Sequence, residues 1–448
     1  LPQIEMGGEK SPLIFFVRIF LEQNKNHLKE DNRMADNKTY WSPSRNYKFE
    51  LKIGNSKLNL TEDLNYVTIL TSIDLPYQSF VLNITIDPNK LIAEEIYGQA
   101  PLYLTSILYG TSAATPLERI EFELMYLSSD LPMDVSLQLP GNVDDKRQNI
   151  TIMCVARKAY TTMNWLVSDV QQGVNLKSVL ETLIGKTQAT SDIDSQGLNT
   201  TTLDQILVPS STLYKNIQYL NRTFGLYDGM SVTFCSHDNK VYIKNLTAKM
   251  TTSEKFVIYQ LPSGKDNTEI IKKCTDGKFF YTTEKIISSY KGSSVFAYMA
   301  PNMKHIVKPK DRLYHVIDTN TEALAKEYGL ISKGNKIFFD SGAMPSDSRI
   351  SIHKDHTGYE LSESFIRAEY SKRVSSITEL VVTLGSSMRL LNLMEVGEAV
   401  SIDTKITPTQ PVNASYILRA SQLSFSKAKR DWESAATLRL VRTNRTTT

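Results

Sequence analysis

The sequence is poor in the residue types that usually announce chemistry. Among 448 residues there are three cysteines, Cys154, Cys235 and Cys274, set far apart and forming no C-x-x-C pair. An odd count at wide spacing argues against a disulfide framework and against a cysteine zinc site, and it fits synthesis in a reducing compartment. An excess of either charge is also missing. The 51 Lys+Arg against 48 Asp+Glu leave a net charge of +3. The basic runs are short and mixed, as at Lys427-Ala428-Lys429-Arg430. A nucleic-acid-binding face normally carries a basic stripe, so this run reads as a solvated turn and no direct nucleic-acid recognition is expected. Long apolar runs are absent as well. The candidate targeting segment, Leu13 to Leu21, is interrupted by Arg18 and followed by no small-residue cleavage site. It is too short to span a bilayer, so the expectation is a soluble protein without membrane insertion. The triplets Asn83-Ile84-Thr85 and Asn245-Leu246-Thr247 match the glycosylation pattern, which matters only in a secretory context.

The familiar catalytic motifs are missing too. GLISKGNK (329–336) has glycines and lysines without the P-loop spacing, and neither a G-x-S-x-G elbow nor an H-E-x-x-H zinc helix occurs. His353-Lys354-Asp355-His356 is the one histidine cluster. On a helix, His353 and His356 would lie one turn apart and share a metal with Asp355. The flanking ISIHKDHTGYE instead reads as a strand running into a turn. With no third or fourth ligand in view, the reading is two solvated loop histidines. The carboxylate pairs Asp144-Asp145 and Glu94-Glu95 have the residue types for general acid–base work, but they sit in a polar loop and on a short helical turn and read as solvated surface. Asp340-Ser341-Gly342 places a hydroxyl beside a carboxylate, yet a serine nucleophile needs a positioned base such as histidine. The sequence therefore offers no catalytic, metal-binding or cofactor-binding residue, and the expectation is a protein that is not an enzyme.

What is present is pattern. Tyr47, Phe49, Leu51 and Ile53 alternate with charged residues, the alternation returns at Phe80 to Ile86 and at IEFELMYL (120–127), and LYLTSILYG (102–110) after Pro101 reads as another strand. Period two is the signature of a half-buried strand. LIAEEIYG (91–98) reads as a helical turn among these strands, and QNITIMCVARK (148–158) leads out of them. NLKSVLETLIG (175–185) then carries a helical stripe, with Asn175 as N-cap and Gly185 at the stop. Within LDQILVPSSTLYKNIQYLNRTFGLYDG (203–229), Leu213, Ile217, Leu220 and Phe224 are spaced four, three, four, which is one face of a helix. Ser210 or Ser211 is placed to cap its start and Gly225 its end. MSVTF (230–234) and VYIKNL (241–246) flank a tight turn. ELSESFIRAEYSKRV (360–374) reads as a late helix, ELVVTL (379–384) as a strand, and 416–425 with 436–442 as a hairpin with a wide polar connection. The fold class is α+β, mainly β: two antiparallel β-barrel domains with an intervening helix-containing module and an insertion. The boundaries are a poorly ordered leader (1–44), a first barrel (45–158), an α+β module (159–250), an inserted or irregular domain (251–355), and a helix with second-barrel strands (356–448).

The order of these elements resembles the tail and baseplate hub proteins of contractile-tailed phages and the hub half of type VI secretion spike proteins. The likeness rests on IDLPYQSFVLNITI (73–86), IYGQAPLYL (96–104), LVPSSTLYKNIQYLNRTFGLYDG (207–229), LLNLMEVGEAVSI (390–402) and ILRASQLSF (417–425). It spans most of 45–448 and leaves 251–355 unmatched. The resemblance implies a structural virion protein, located in the tail or baseplate and assembled in the host cytoplasm. It also implies a homotrimer whose six barrels adapt a three-fold spike to a six-fold tail tube. The implied partners are a central spike protein, supplied as a separate chain, the tube protein and a tape-measure protein. Leu213, Ile217, Leu220, Phe224, Gly225, Leu393, Gly397 and Val400 are its expected structural core. Two other classes compete: a tail-associated cell-wall hydrolase with its site hidden in 251–355, and a β-rich receptor-binding adhesin. A peptidoglycan zymogram separates the hydrolase from the others.

Met34-Ala35-Asp36 makes a natural beginning, and Lys29-Glu30-Asp31 can be encoded as AAG-GAG-GAT, which resembles a ribosome-binding site. Residues 1–33 are therefore expected to belong to no domain. Mass spectrometry of the natural protein should find no peptide lying wholly within 1–33, and one such peptide overturns the expectation.

Overall fold

The computed structural model describes residues 47–54, 56–87, 90–91, 94–96, 100–109, 116–129, 147–227, 231–246, 256–261, 279–290, 294–299, 349–354, 378–384, 396–404, 415–428 and 431–441. The chain divides into two units, Leu1–Arg45 and Asn46–Thr448, and all described residues belong to the second. They are mainly β, with twenty-one strands and three helices among them. The expected leader (1–44), Leu393 and the helix expected at 360–374 lie outside the described residues.

The first seven strands are β1 (Tyr47–Ile53), β2 (Leu58–Asn59), β3 (Leu64–Ser72), β4 (Ser79–Ile86), β5 (Leu102–Tyr109), β6 (Pro116–Ser129) and β7 (Gln148–Ala156). They pair antiparallel in the order β3-β4-β7-β6-β5-β1-β2. The alternation in β1 sends Tyr47, Phe49, Leu51 and Ile53 inward while Lys48 and Lys52 face water. β3 was not legible as a strand, because its apolar residues sit side by side at Tyr66-Val67 and Ile69-Leu70 rather than alternating.

A helical module follows: α1 (Arg157–Asn164), β8 (Leu166–Asn175), α2 (Leu176–Gly185), β9 (Thr190–Ile193), β10 (Thr202–Thr212), α3 (Leu213–Phe224), β11 (Ser231–Cys235) and β12 (Lys240–Asn245). The Asn175 side chain caps α2 by accepting from the Ser178 N–H at 2.9 Å. Thr212, rather than Ser210 or Ser211, caps α3, accepting from the Lys215 N–H at 3.3 Å. The cap falls there because the extended chain of β10 runs through residue 212. Leu213, Ile217 and Leu220 are buried on α3, and Phe224 packs against the same core from a partly buried position. Gly225 ends the helix at φ 69°, the left-handed region where glycine has no Cβ penalty. The stretch 203–212 before the helix, for which no strand was expected, is a strand paired with β8.

The remaining strands are β13 (Phe256–Gln260), β14 (Phe279–Thr282), β15 (Ile287–Tyr290), β16 (Ser294–Met299), β17 (Arg349–Lys354), β18 (Thr378–Leu384), β19 (Ala399–Thr404), β20 (Ser415–Ala428) and β21 (Asp431–Val441). Two results differ from the sequence reading. First, β13 lies between β14 and β19 and is parallel to both, so this half is not purely antiparallel. Second, β13 and β14 join β19, and β15 joins β18. Residues 256–260 and 279–290 thus belong to the C-terminal sheet, although the sequence places them in an inserted domain. Strand partners about 90 to 144 residues apart leave no local pattern, so no window of sequence reports this pairing.

β20 holds the two halves together. Along one edge it pairs with β19 at residues 415–417 and with β3 at residues 420–426. Along the other it pairs with β21 almost throughout. The change of neighbour falls at a bulge on Arg419. There the Arg419 carbonyl accepts from the Ile73 N–H at 2.9 Å, and its guanidinium reaches the Asp74 carboxylate at 3.1 Å. The strands continue to Ala428 and resume at Asp431, so the wide polar connection expected between them is mostly ladder. The far end of the hairpin packs on β1, where the Phe425 ring lies 4.8 Å from Phe49 and Trp432 lies 5.0 Å from Phe49. One continuous 14-stranded sheet therefore spans both halves.

Phe425 is fully buried at this contact. Phe425→Ala should lower unfolding free energy by about 3–5 kcal/mol, the usual cost of emptying a buried aromatic site. Urea denaturation followed by fluorescence and circular dichroism measures it. A loss below about 1 kcal/mol would mean the hairpin tip is not part of the core.

Candidate interaction surface

The β8–β10 ribbon is a two-stranded layer lying over α2 and α3. Alternation sorts its residues. Val167, Ile206 and Val208 are buried on the inner face, while Leu166, Val170 and Leu207 are 69%, 58% and 64% exposed. Val170 and Leu207 are directly opposite one another, so their side chains share the outer face. Trp165, just before the ribbon, is 52% exposed. Isolated exposed apolar residues are ordinary, but a contiguous cluster is not.

The ribbon is firmly anchored from below. Asn216, wholly buried on α3, donates its amide to the Val167 carbonyl at 2.8 Å and to the Pro209 carbonyl at 3.1 Å. One side chain thus ties β8 to β10 where the ladder is broken between Val208 and Ser211. Proline at 209 has no N–H to offer a ladder, so the break is set by sequence. At the other strand, Lys186 pairs with Asp169 at 3.1 Å and donates to the Ser168 carbonyl at 2.6 Å. The Gln171 amide, followed by Lys186, holds the Asp169 carboxyl below the usual carboxylate range.

The β11–β12 hairpin joins the module to both halves of the sheet. On the N-terminal side, the Cys235 N–H donates to the Pro76 carbonyl at 2.7 Å, and His237 lies with its ring 4.8 Å from Phe122 of β6. Tyr77 packs edge-on against Tyr160 of α1 at 5.3 Å. Burial pushes the Tyr77 hydroxyl and the Cys235 thiol each up to about 12. On the C-terminal side, Val232 and Leu246 pack with Ile417 and Val441, and Lys244 pairs with Glu398 at 3.6 Å, both side chains about nine-tenths buried. The connecting pieces are thus this hairpin and α1, whereas α3 packs within the module.

The other candidate residues are scattered. Glu94 accepts a hydrogen bond from Ser56 at 2.6 Å on the surface, and Glu95 adopts φ 54°. Cys154 and Cys235 are buried and unbridged, and burial pushes the Cys154 thiol upward. His353 lies on β17, and its expected companions Asp355 and His356 fall outside the described residues, as do Asp144, Asp145, Asp340, Ser341 and Cys274. Gly397 is buried at φ 86°, and Val400 is buried in β19. Among the described residues no three His, Cys, Asp or Glu side chains gather as metal ligands would, and no helix is long and apolar enough to cross a membrane. The ribbon's outer face and Asn216 carried no sequence motif. The available signal was the alternation of Ile206 and Val208 on β10, with Val167 isolated on β8.

No protein-family model matches the chain, and no curated protein sequence matches it. Among solved structures it is similar to the tail protein from Neisseria meningitidis MC58, with TM-score 0.49 and 9% identity, covering 89% of this chain and 96% of that one. It is similar to the 43 kDa tail protein of prophage MuSo2 from Shewanella oneidensis, with TM-score 0.49 and 11% identity over 88% of this chain and 96% of that one. It is also similar to the E. coli c3393 protein, a type VI secretion component, with TM-score 0.42 and 8% identity over 88% and 77%. Likeness at this level does not by itself assign a role.

Burial holds the His237 imidazole below its ordinary pKa, with nearby Lys158 acting in the same direction and Asp238 against it. A depressed histidine contributes stability that is fully present above the unfolded value, about 6.5, and lost as pH falls through the folded value. Stability measured by urea denaturation should therefore drop below about pH 6.5, and His237→Phe should reduce that drop. An unchanged pH profile in the variant would show that the joint does not sense protonation.

Proposed function

We propose that this chain is a structural virion component, a trimeric tail or baseplate hub that adapts a three-fold spike to a six-fold tail tube. The observation that supports it most is the shared β20–β21 hairpin. In this reading it closes two barrels at once. One contains β3, β4, β7, β6, β5 and β1 and meets β21 through the Phe49–Trp432 contact. The other contains β14, β13, β19, β20, β21 and β18, with the Thr282 hydroxyl donating to the Thr383 carbonyl at 2.7 Å to draw β14 toward β18. Two comparable barrels per subunit give six around a three-fold axis, which is the arithmetic a six-fold partner needs. Closed symmetry then limits growth.

A hub of this kind needs rigidity and interfaces rather than catalytic groups, and the order of elements in 73–104, 207–229 and 390–425 resembles such hubs. Its partners are the central spike, the tube protein and the tape-measure protein, and its location is the virion tail.

Size-exclusion chromatography with light scattering on the purified chain, alone and mixed with its spike, should give three copies per particle. A strictly monomeric chain in the presence of spike would overturn the reading.

A further inference from the structure

We propose that the outer face of the β8–β10 ribbon is a self-contact, where copies of this chain meet around the three-fold axis. The inference rests on the trimeric reading above and names the surface that would serve it. Leu166, Ser168, Val170 and Gln172 of β8 and Gln205 and Leu207 of β10 line that face, and all six are exposed. None is charged, in a chain of which 22% is charged. Asp169 alternates to the inner side, where Lys186 holds it, and Asp204, which is exposed, precedes Gln205 at the end of the face.

The absence of charge is what selects a second copy as the occupant. On a symmetry axis each side chain meets its own copies, so any charge there would face like charge. A charged partner would find no counter-charge on this surface. The Gln172–Gln205 pair, directly cross-strand, carries donors and acceptors together and is therefore complementary to itself.

Size argues against a simple dimer. Ten residues at about 3.3 Å each, across two strands about 4.8 Å apart, give a face of roughly 330 Å². A stable pair of proteins needs about 800 Å² per partner. The ribbon alone is too small to hold two chains, but it suffices as the axial part of a larger closed ring. Its rigid anchoring through Asn216 and Lys186 means little conformational entropy is lost on contact.

The test is a Val170→Lys, Leu207→Lys double variant of the full chain, compared with wild type by light scattering, with and without spike. Both positions are exposed in the single chain, so the circular dichroism spectrum should be unchanged while the particle mass falls three-fold. A variant that stays trimeric overturns the self-contact and leaves the hub reading standing. A variant that stays trimeric but no longer co-elutes with spike overturns it in favour of a spike contact. A wild type that is not trimeric under any condition overturns both. Should the double variant misfold, Ser168→Cys in a Cys274→Ser background supplies the answer. A short bis-maleimide should link two chains of each trimer on a denaturing gel, Cys154 and Cys235 being buried, and no linked band overturns the proposal.

Discussion

A strand has two edges, and the structure depends on how β20 uses them. One edge is committed to β21, while the other changes partner from β19 to β3 at Arg419. That switch forces residues some 350 positions apart into one hydrogen-bonded sheet. The bulge is stabilised where it would otherwise expose backbone: the Arg419 carbonyl is satisfied by Ile73 and its guanidinium by Asp74. Without it, β20 would continue with a single neighbour and the N-terminal strands would lose their connection to the C-terminal ones. The aromatic contacts of Tyr47 and Phe49 with Phe425 and Trp432 follow from the same placement.

Local pattern made much of this legible. β1 and β6 appear in the sequence as alternation because one face of each meets the core and the other is more open, and β4 alternates in residue type although none of its residues is exposed. α2 and α3 are visible as stripes with caps, since Val179, Leu180 and Leu183, and Leu213, Ile217 and Leu220, all face one way. β3 sets apolar residues side by side, Tyr66-Val67 and Ile69-Leu70, and loses the signal. The parallel ladders β13–β14 and β13–β19 depend on distant partners, and no window of sequence reports them. The ribbon escaped notice for a different reason. Ser168, Asp169, Gln171, Gln172 and Gly173 give β8 the composition of a loop, and Pro209 beside the α3 cap reads as a helix entry. Only three buried residues, Val167, Ile206 and Val208, mark its inner face.

The module's position ties the two halves of the sheet together. Its hairpin β11–β12 touches the N-terminal sheet through Cys235 and His237 and the C-terminal sheet through Val232, Lys244 and Leu246. Both halves of the sheet are therefore fixed against the same short element. In the proposed hub this would keep two barrels at a constant separation, which a three-to-six-fold adaptor requires and a flexible linker could not supply.

The C-terminal joint favours one register over stability as such. A Cβ on Gly397 would sit 2.5 Å from the Leu246 side chain, so only glycine admits the close approach, and φ 86° reinforces the choice. Beside it, Lys244 and Glu398 are paired with little solvent around them. A buried ion pair contributes little net stability, because desolvating both charges offsets their attraction. Separating them, however, strands two charges in a poorly solvated place. A slip of β12 against β19 would thus incur both a steric clash and a desolvation cost, while a correctly seated hairpin incurs neither. The joint is poor at adding stability and good at rejecting wrong alignments. Such a property suits a component whose copies must present identical surfaces to one another.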